Sequence, residues 1–224
     1  MGHDLVIPLS DTSVNHDIEL KYALRSIERH AGNVFIIGRL PKWVRNTTHI
    51  SFDDIPNLRF KEQNIYNKLA EACNDPRVSD PFIYANDDHF LLPGYDPAIY
   101  WHKGKLTPNV NGPYNSTIKN TIALLGEVNN FDTHCPMLIH KQRFLDSMPQ
   151  VWSDWGYCMK TLYCHANGIE GQQAEDLKIN QPHTAKELHS KVEGRTWFSV
   201  GDIFFSGQGI KFLNQLYPNK SKYE

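Results

Sequence analysis

Phe82-Ile83-Tyr84-Ala85-Asn86-Asp87-Asp88-His89-Phe90-Leu91-Leu92 is the stretch on which the reading of this chain turns. A β-rich apolar run breaks into Asn86, Asp87, Asp88 and His89, then becomes apolar again. Two adjacent carboxylates at the end of a buried strand are costly unless something positive offsets them. A divalent cation carrying a diphosphate is the natural candidate, since hard oxygen ligands suit magnesium or manganese. An Asp-Asp pair can also simply open a turn.

Upstream of this stretch, Leu5 to Leu9 reads as an apolar strand and Ser10 to Asn15 as a polar loop. Leu20, Leu24, Ile27 and Ala31 then fall at helical spacing, with Asn15 or Asp17 as cap and Gly32 as stop. Val34 to Ile37 reads as a second buried strand before Gly38. Strand, helix and strand in this order make a βαβ unit, which implies a parallel sheet with a right-handed crossover. His49 to Phe52 is a candidate third strand, Asn64 to Cys73 a second helix, and Phe82 to Ala85 the strand feeding the acidic turn. Ligands of open α/β sheets collect beyond the carboxyl ends of the strands, where this turn lies.

Downstream, Pro93 to Asn130 is rich in Pro, Gly, Asn and Thr and suggests loops with a hairpin. Helices are expected over 141–148 and 154–167, followed by a loop to His189 and a short strand from Thr196 to Val200. A last helix is expected from Gly209 to Tyr217, ending at Pro218. These later elements are too few for an independent core. The expectation is one α/β domain, Rossmann-like, with a mostly parallel central sheet and helical additions.

The 224 residues carry a net charge of −2 with no long run of one sign, which argues against nucleic acid or an anionic membrane as partner. No stretch is long and apolar enough for a transmembrane helix, and the start lacks the apolar core of a signal peptide. Cys73, Cys135, Cys158 and Cys164 form no CxxC pair. Reduced thiols in a cytoplasmic protein are the expectation.

Several segments are similar to the Stealth family of sugar-phosphate transferases. They are Glu19 to Glu28 (ELKYALRSIE), Val34 to Gly38 with Leu40 to Trp43, and Phe82 to Leu91. His134 to Lys141 (HCPMLIHK) resembles the family's His-x-Pro block, and Phe212 to Glu224 its final block. The family's opening Tyr-Thr-Trp-Val-Asn-Gly block is replaced by Leu5 to Asp11, and Ser153 to Asn167 contains no arginine where the family has an arginine-rich segment. The broader resemblance is to GT-A-type folds that use nucleotide sugars. It implies a single transferase-like domain over 1–224, with 1–92 as the nucleotide-binding half and 93–224 as the acceptor half.

That resemblance implies roles for particular residues. Asp87 and Asp88 would seat Mg2+ or Mn2+ against the donor's diphosphate, with Asp88 also counted as catalytic, and His183 would complete the metal site. His89 is a ligand or a substrate contact, or else a histidine pointing into the sheet. His134 would take a proton from an acceptor hydroxyl, with Asp132 on the same face of an extended segment to orient it. Arg25 would contact phosphate, Asn64 belongs with the substrate-binding set, and Asp202 would close the site or cap a loop. Glu175-Asp176 looks like the acidic pair in which inverting GT-A enzymes keep their base, although such pairs also open helices.

The expected function is metal-dependent transfer of a sugar-1-phosphate from a nucleotide sugar donor to a carbohydrate acceptor of a surface polysaccharide. Transfer of the sugar itself is the alternative. A non-catalytic carbohydrate-binding module, with Tyr95, Tyr100, Trp101, Trp152 and Trp155 stacking on sugar rings, is the reading from a different class.

Overall fold

The computed structural model describes residues 2–10, 13–28, 30–108 and 112–224, so Asp11 at the end of the substituted opening block lies outside the described residues. The chain runs β1 (Leu5–Leu9), α1 (Ile18–Ile27), β2 (Val34–Gly38), β3 (Thr48–Ile50), α2 (Lys61–Asn74), β4 (Phe82–Tyr84) and β5 (His89–Leu91). It continues with β6 (Trp101–His102), α3 (Tyr114–Leu125), β7 (Met137–Ile139), α4 (Lys141–Asp146) and α5 (Met159–Ala166). The last elements are β8 (Gln172–Gln173), β9 (Lys178–Ile179), α6 (Ala185–Val192), β10 (Trp197–Val200) and α7 (Gly209–Leu216).

The main sheet has the order β3-β2-β1-β4-β7, parallel except for β7, which runs antiparallel to β4. The alternation of side chains explains why its strands read as unbroken apolar runs. Leu5, Ile7 and Leu9 cluster with Leu20, Leu24 and Ile27 of α1. Val6, Phe35, Ile37 and Tyr84 cluster instead with Leu69 and Ala72 of α2 and Leu162 and Tyr163 of α5. Both faces of β1, β2 and β4 are covered by helices, so these inner strands have no position for a polar stripe, whereas the edge strand β3 is partly exposed at His49. β2 ends at Gly38, with φ of 112°, where an added Cβ would meet Leu9 O at 2.1 Å. Only glycine lets the two strand ends come this close.

After β4 the chain changes sheets. β5 pairs antiparallel with β10, which pairs parallel with β9. In that register Ser199 sits between His89 and Lys178. This second sheet joins α6 and α7 in a cluster that packs against α1 through Tyr22 and Ala23. Residues from the C-terminal part thereby complete the N-terminal half.

Three expectations change. The stretch from Pro93 to Asn130 is not simply a hairpin: 103–106 and 128–130 do run antiparallel, but α3 fills the connection. Its threonines disguise it as a loop, yet Thr117, Ile118 and Thr121 are buried and Thr121 Oγ1 bonds back to Thr117 O at 2.9 Å. The loop expected to run to His189 contains α6, whose start is a capping box between Thr184 and Glu187. The helix expected over 154–167 starts only at Met159, because Trp155 and Gly156 adopt positive φ of 69° and 61°.

Arg25 is a further correction. Its Nε and Nη2 donate to Glu224 at 2.6 and 2.8 Å, and Nη1 donates to Tyr217 O at 3.1 Å. The guanidinium fastens the C-terminal segment to α1 rather than facing a phosphate. Burial alone would push the Glu224 carboxyl up, but the bonds from Arg25 and from the Ser221 backbone outweigh it and hold the group at about 2.

Arg25→Ala is expected to lower the unfolding free energy by roughly 1.5–3 kcal/mol, the range for hydrogen bonds to a charged group. Glu224 titrates lower in the folded chain than its ordinary 4.5, so its stabilisation is complete above that pH and lost as pH falls to about 2. Denaturant melts of wild type and variant should converge across this window. Curves that remain parallel would rule the pairing out.

Candidate active site

The turn between β4 and β5 lies at the carboxyl edge of the parallel sheet. Asp88 Oδ2 accepts from Lys178 Nζ at 3.0 Å, while Oδ1 is buried with no hydrogen-bond partner. The register of β9, β10 and β5 makes this contact, since it puts Lys178 two strands from His89 on the same row. Asp87 has no ion pair among the described residues. Burial pushes its carboxyl up to about 7, with the charges of Asp88 and Glu19 acting in the same direction.

His134 stands on the loop before β7. Its backbone N–H donates to Asp176 Oδ1 at 2.8 Å, and its Nδ1 lies 2.9 Å from Asp176 Oδ2. Lys103 Nζ donates to the same Oδ2 at 3.0 Å and to Asp132 O at 2.9 Å. Burial alone would raise the Asp176 carboxyl, but the bonds and charges of His134 and Lys103 outweigh it and hold the group well below the usual carboxylate range. An ionised acceptor assigns the ring proton to Nδ1 and leaves the lone pair on Nε2. The side chain is 31 % exposed, so the ring remains accessible. An open groove of about 640 Å³ lies beside the dyad, lined by Lys103, Gln173, Ala174, Glu175 and Asp176.

The acidic turn and the dyad meet through His89. Its ring lies edge-on to that of His134 with centroids 6.5 Å apart, and its Nε2 is 3.7 Å from Asp88 Oδ1. Asp88, His134 and Asp176, picked from three separate stretches of sequence, therefore form one cluster.

The other candidates have different surroundings from those expected. His89 is 0 % exposed and its Nδ1 accepts from Asn86 N at 3.2 Å, so it offers no surface to a substrate. Burial holds its pKa well below the ordinary value, and the ring is neutral. Asp132 does not orient His134: its Oδ2 accepts from Thr161 N at 3.1 Å and Thr161 Oγ1 at 2.9 Å, capping α5 from a distance. Asn64 is occupied by the N–H and C=O of Ile55, at 2.9 and 3.0 Å. His183 lies 3.9 Å from Glu187 before α6 and is not brought to Asp87 or Asp88. Asp202 is exposed just past β10, whose Val200 N reaches Asp88 O at 3.4 Å. Of the aromatics, Tyr95 and Tyr100 donate to Pro136 O and Leu138 O, and Trp152 stacks on Tyr66, so these three serve the interior.

Sequence reasoning missed Lys103, Lys160 and Lys178. The only signal for them was general: the carboxylates needed positive partners, and nothing in the local sequence said which lysines would supply them.

Magnesium and manganese are commonly held by one or two carboxylates together with substrate phosphates and water. Asp87, unpaired and pushed towards neutrality, and Asp88, with one orphaned buried oxygen, fit a cation shared with phosphate. Among the described residues no three His, Cys, Asp or Glu side chains converge to enclose a metal.

No protein-family model and no curated protein matches the chain. Among solved structures it is similar to the galactosyltransferase LgtC in complex with donor and acceptor sugar analogues. That match has 11% identity, covers 99% of this chain and 97% of the other, and has a TM-score of 0.53. A glycosyltransferase involved in glycosylation of the major capsid of PBCV-1 matches at 12% identity over 96% and 100% of the two chains, with TM-score 0.40. Mouse xyloside xylosyltransferase 1 matches at 11% identity over 90% and 98%, with TM-score 0.39. The likeness to LgtC shows the fold: a mixed α/β domain of the GT-A type.

Asp132→Ala is expected to remove the cap from α5 and cost about 1–2 kcal/mol in a denaturant melt. The His134–Asp176 bond, followed as a hydrogen-bonded imidazole proton by NMR, should survive. Its disappearance would return the orienting role to Asp132.

Proposed function

We propose that this chain is a transferase that takes a nucleotide sugar and moves its sugar-1-phosphate onto a carbohydrate acceptor of a surface polysaccharide. The observation that carries the reading is the convergence of Asp88, His134 and Asp176 at the carboxyl edge of a GT-A-type sheet. The resemblance of Glu19–Glu28, Phe82–Leu91 and His134–Lys141 to the Stealth blocks supports phosphate transfer in particular. Residues 1–92 would hold the nucleotide, and the groove at Lys103 and Gln173 would receive the acceptor.

In this mechanism His134 Nε2 takes the proton from the acceptor hydroxyl as its oxygen attacks the phosphorus bearing the sugar. The new P–O bond forms while the bond to the nucleotide's bridging oxygen breaks, and a nucleoside monophosphate leaves with the electron pair. Asp176 keeps the Nδ1–H in place and balances the imidazolium that results. Lys103 holds Asp176 from its other side. Asp87 and Asp88 would hold Mg2+ or Mn2+, which when bound neutralises charge on the diphosphate. Asp202, exposed past β10, would face the same edge.

Transfer of the sugar itself is the second reading, supported by the fold shared with a galactosyltransferase. There the acceptor oxygen attacks the anomeric carbon and a nucleoside diphosphate leaves. Asp176 accepts from His134 and Lys103 and is held in its weakly basic form, which supports His134 as the base in both readings, whereas an essential Asp176 with a dispensable His134 would favour glycosyl transfer.

Incubation with a panel of nucleotide sugars and manganese decides between them. A phosphodiester product with a nucleoside monophosphate is expected, whereas a nucleoside diphosphate would shift the assignment to glycosyl transfer. His134→Ala should lower turnover by about 10²–10⁴-fold, and Asp88→Ala should abolish manganese-dependent nucleotide binding. A wild-type protein that neither turns over nor binds any nucleotide would leave only the carbohydrate-binding module.

A further inference from the structure

Lys160 is the second residue of α5 and is 5 % exposed. A lysine ammonium in such a position normally has a carboxylate within ion-pair reach. Among the described residues Lys160 has none: its Nζ donates instead to Thr133 O at 2.8 Å and Cys135 O at 2.7 Å, the carbonyls on either side of His134. The face of the Tyr84 ring lies 5.2 Å from the same nitrogen. Burial pulls the pKa of Lys160 down, against the charges of Asp132, Asp176 and Asp88 around it.

Lys103 adds a third carbonyl, that of Asp132, to this arrangement. The backbone of the loop is then held at four places: Asp132 O on Lys103, Thr133 O and Cys135 O on Lys160, and His134 N on Asp176. An apolar side chain of similar length would fill the space under the loop but leave two buried carbonyls without donors, which is unfavourable. The segment would then relax towards water, and the imidazole would move with it.

We propose that Lys160 is a positioning residue for His134, its buried ammonium clamping the two flanking carbonyls so that the ring meets Asp176 in a single orientation. The chemical consequence rests on the reading of His134 as the base; the clamp itself does not. Lys160 touches no substrate in this account and acts only through the loop.

The test is a histidine-selective ¹⁵N NMR spectrum of the full chain without ligands, with the His134 signals assigned by their absence in His134→Asn. Wild type should show one Nδ1–H tautomer, its proton protected by Asp176. Lys160→Met, checked for folding by circular dichroism, should lose that protected proton. Arg25→Ala, which weakens the fold far from the loop, should retain it; this separates positioning from general destabilisation. Should Lys160→Met not fold, Lys160→Gln carries the same test: its shorter amide cannot span both carbonyls, so the proton signal should shift and broaden. An unchanged His134 signal in the folded variant, or its equal loss in Arg25→Ala, would overturn the proposal. A wild-type spectrum with no protected Nδ1–H would instead remove the reading of His134 as an oriented base.

Discussion

The structure depends on a balance of buried charge at one edge of the sheet. Asp88, Asp132 and Asp176 lie within the electrostatic reach of the single ammonium of Lys160, and Lys103 and Lys178 bond two of them directly. An uncompensated carboxylate at such depth is strongly unfavourable, so the elements that carry the lysines have only a narrow range of acceptable placements. Each cation comes from a part of the chain distant from its partner: Lys178 is ninety residues from Asp88, and Lys103 seventy-three from Asp176. The small sheet, the β6–β8 edge and α5 are thereby fixed against the acidic turn. The hydrophobic clusters hold these layers together, and the charges set their register.

This arrangement also separates roles among groups of one chemical type. Asp176 accepts from the Lys103 ammonium and from the backbone and ring N–H of His134 and stays ionised, which suits it to hold a histidine rather than to accept a proton. Asp132 caps a helix. Asp87 has no cation of its own and is raised towards neutrality. Environment, rather than residue identity, divides capping and orientation among them and leaves Asp87 without a cation among the described residues. The acidic turn can lie at the edge where ligands collect because the chain leaves one sheet and enters another there, with only four residues between β4 and β5.

Much of the fold was legible because it rests on local periodicity. The βαβ start, the strand before the acidic turn and the last helix follow directly from apolar spacing. α3 was not legible: its buried face consists of Thr117, Ile118 and Thr121, and threonine in a helix reads as loop until its hydroxyl finds a backbone carbonyl. α6 had a readable start in Thr184-Ala185-Lys186-Glu187 that outweighs the polar look of the segment. In the site, Asp88, His134 and Asp176 stood out as chemistry-bearing residues, but their union did not, because a bond across forty-two residues leaves no mark on either segment. Arg25 and Asn64 were misplaced for the same reason: each has its polar partner far along the chain or on a loop with no pattern of its own. The lysines were the least visible. A buried lysine and a solvated one look alike in sequence.

The central claim is that paired carboxylates at the end of β4 seat a cation and a diphosphate next to the His134–Asp176 dyad. The most direct measurement is a crystal structure of the chain with Mn2+ and a nucleoside diphosphate, with the ion located by its anomalous signal. The account predicts one manganese peak within coordination distance of carboxylate oxygens of Asp87 or Asp88 and of the phosphates, on the side facing His134. A nucleotide bound away from the carboxyl edge of the parallel sheet, or a manganese ion held by neither aspartate, would contradict it.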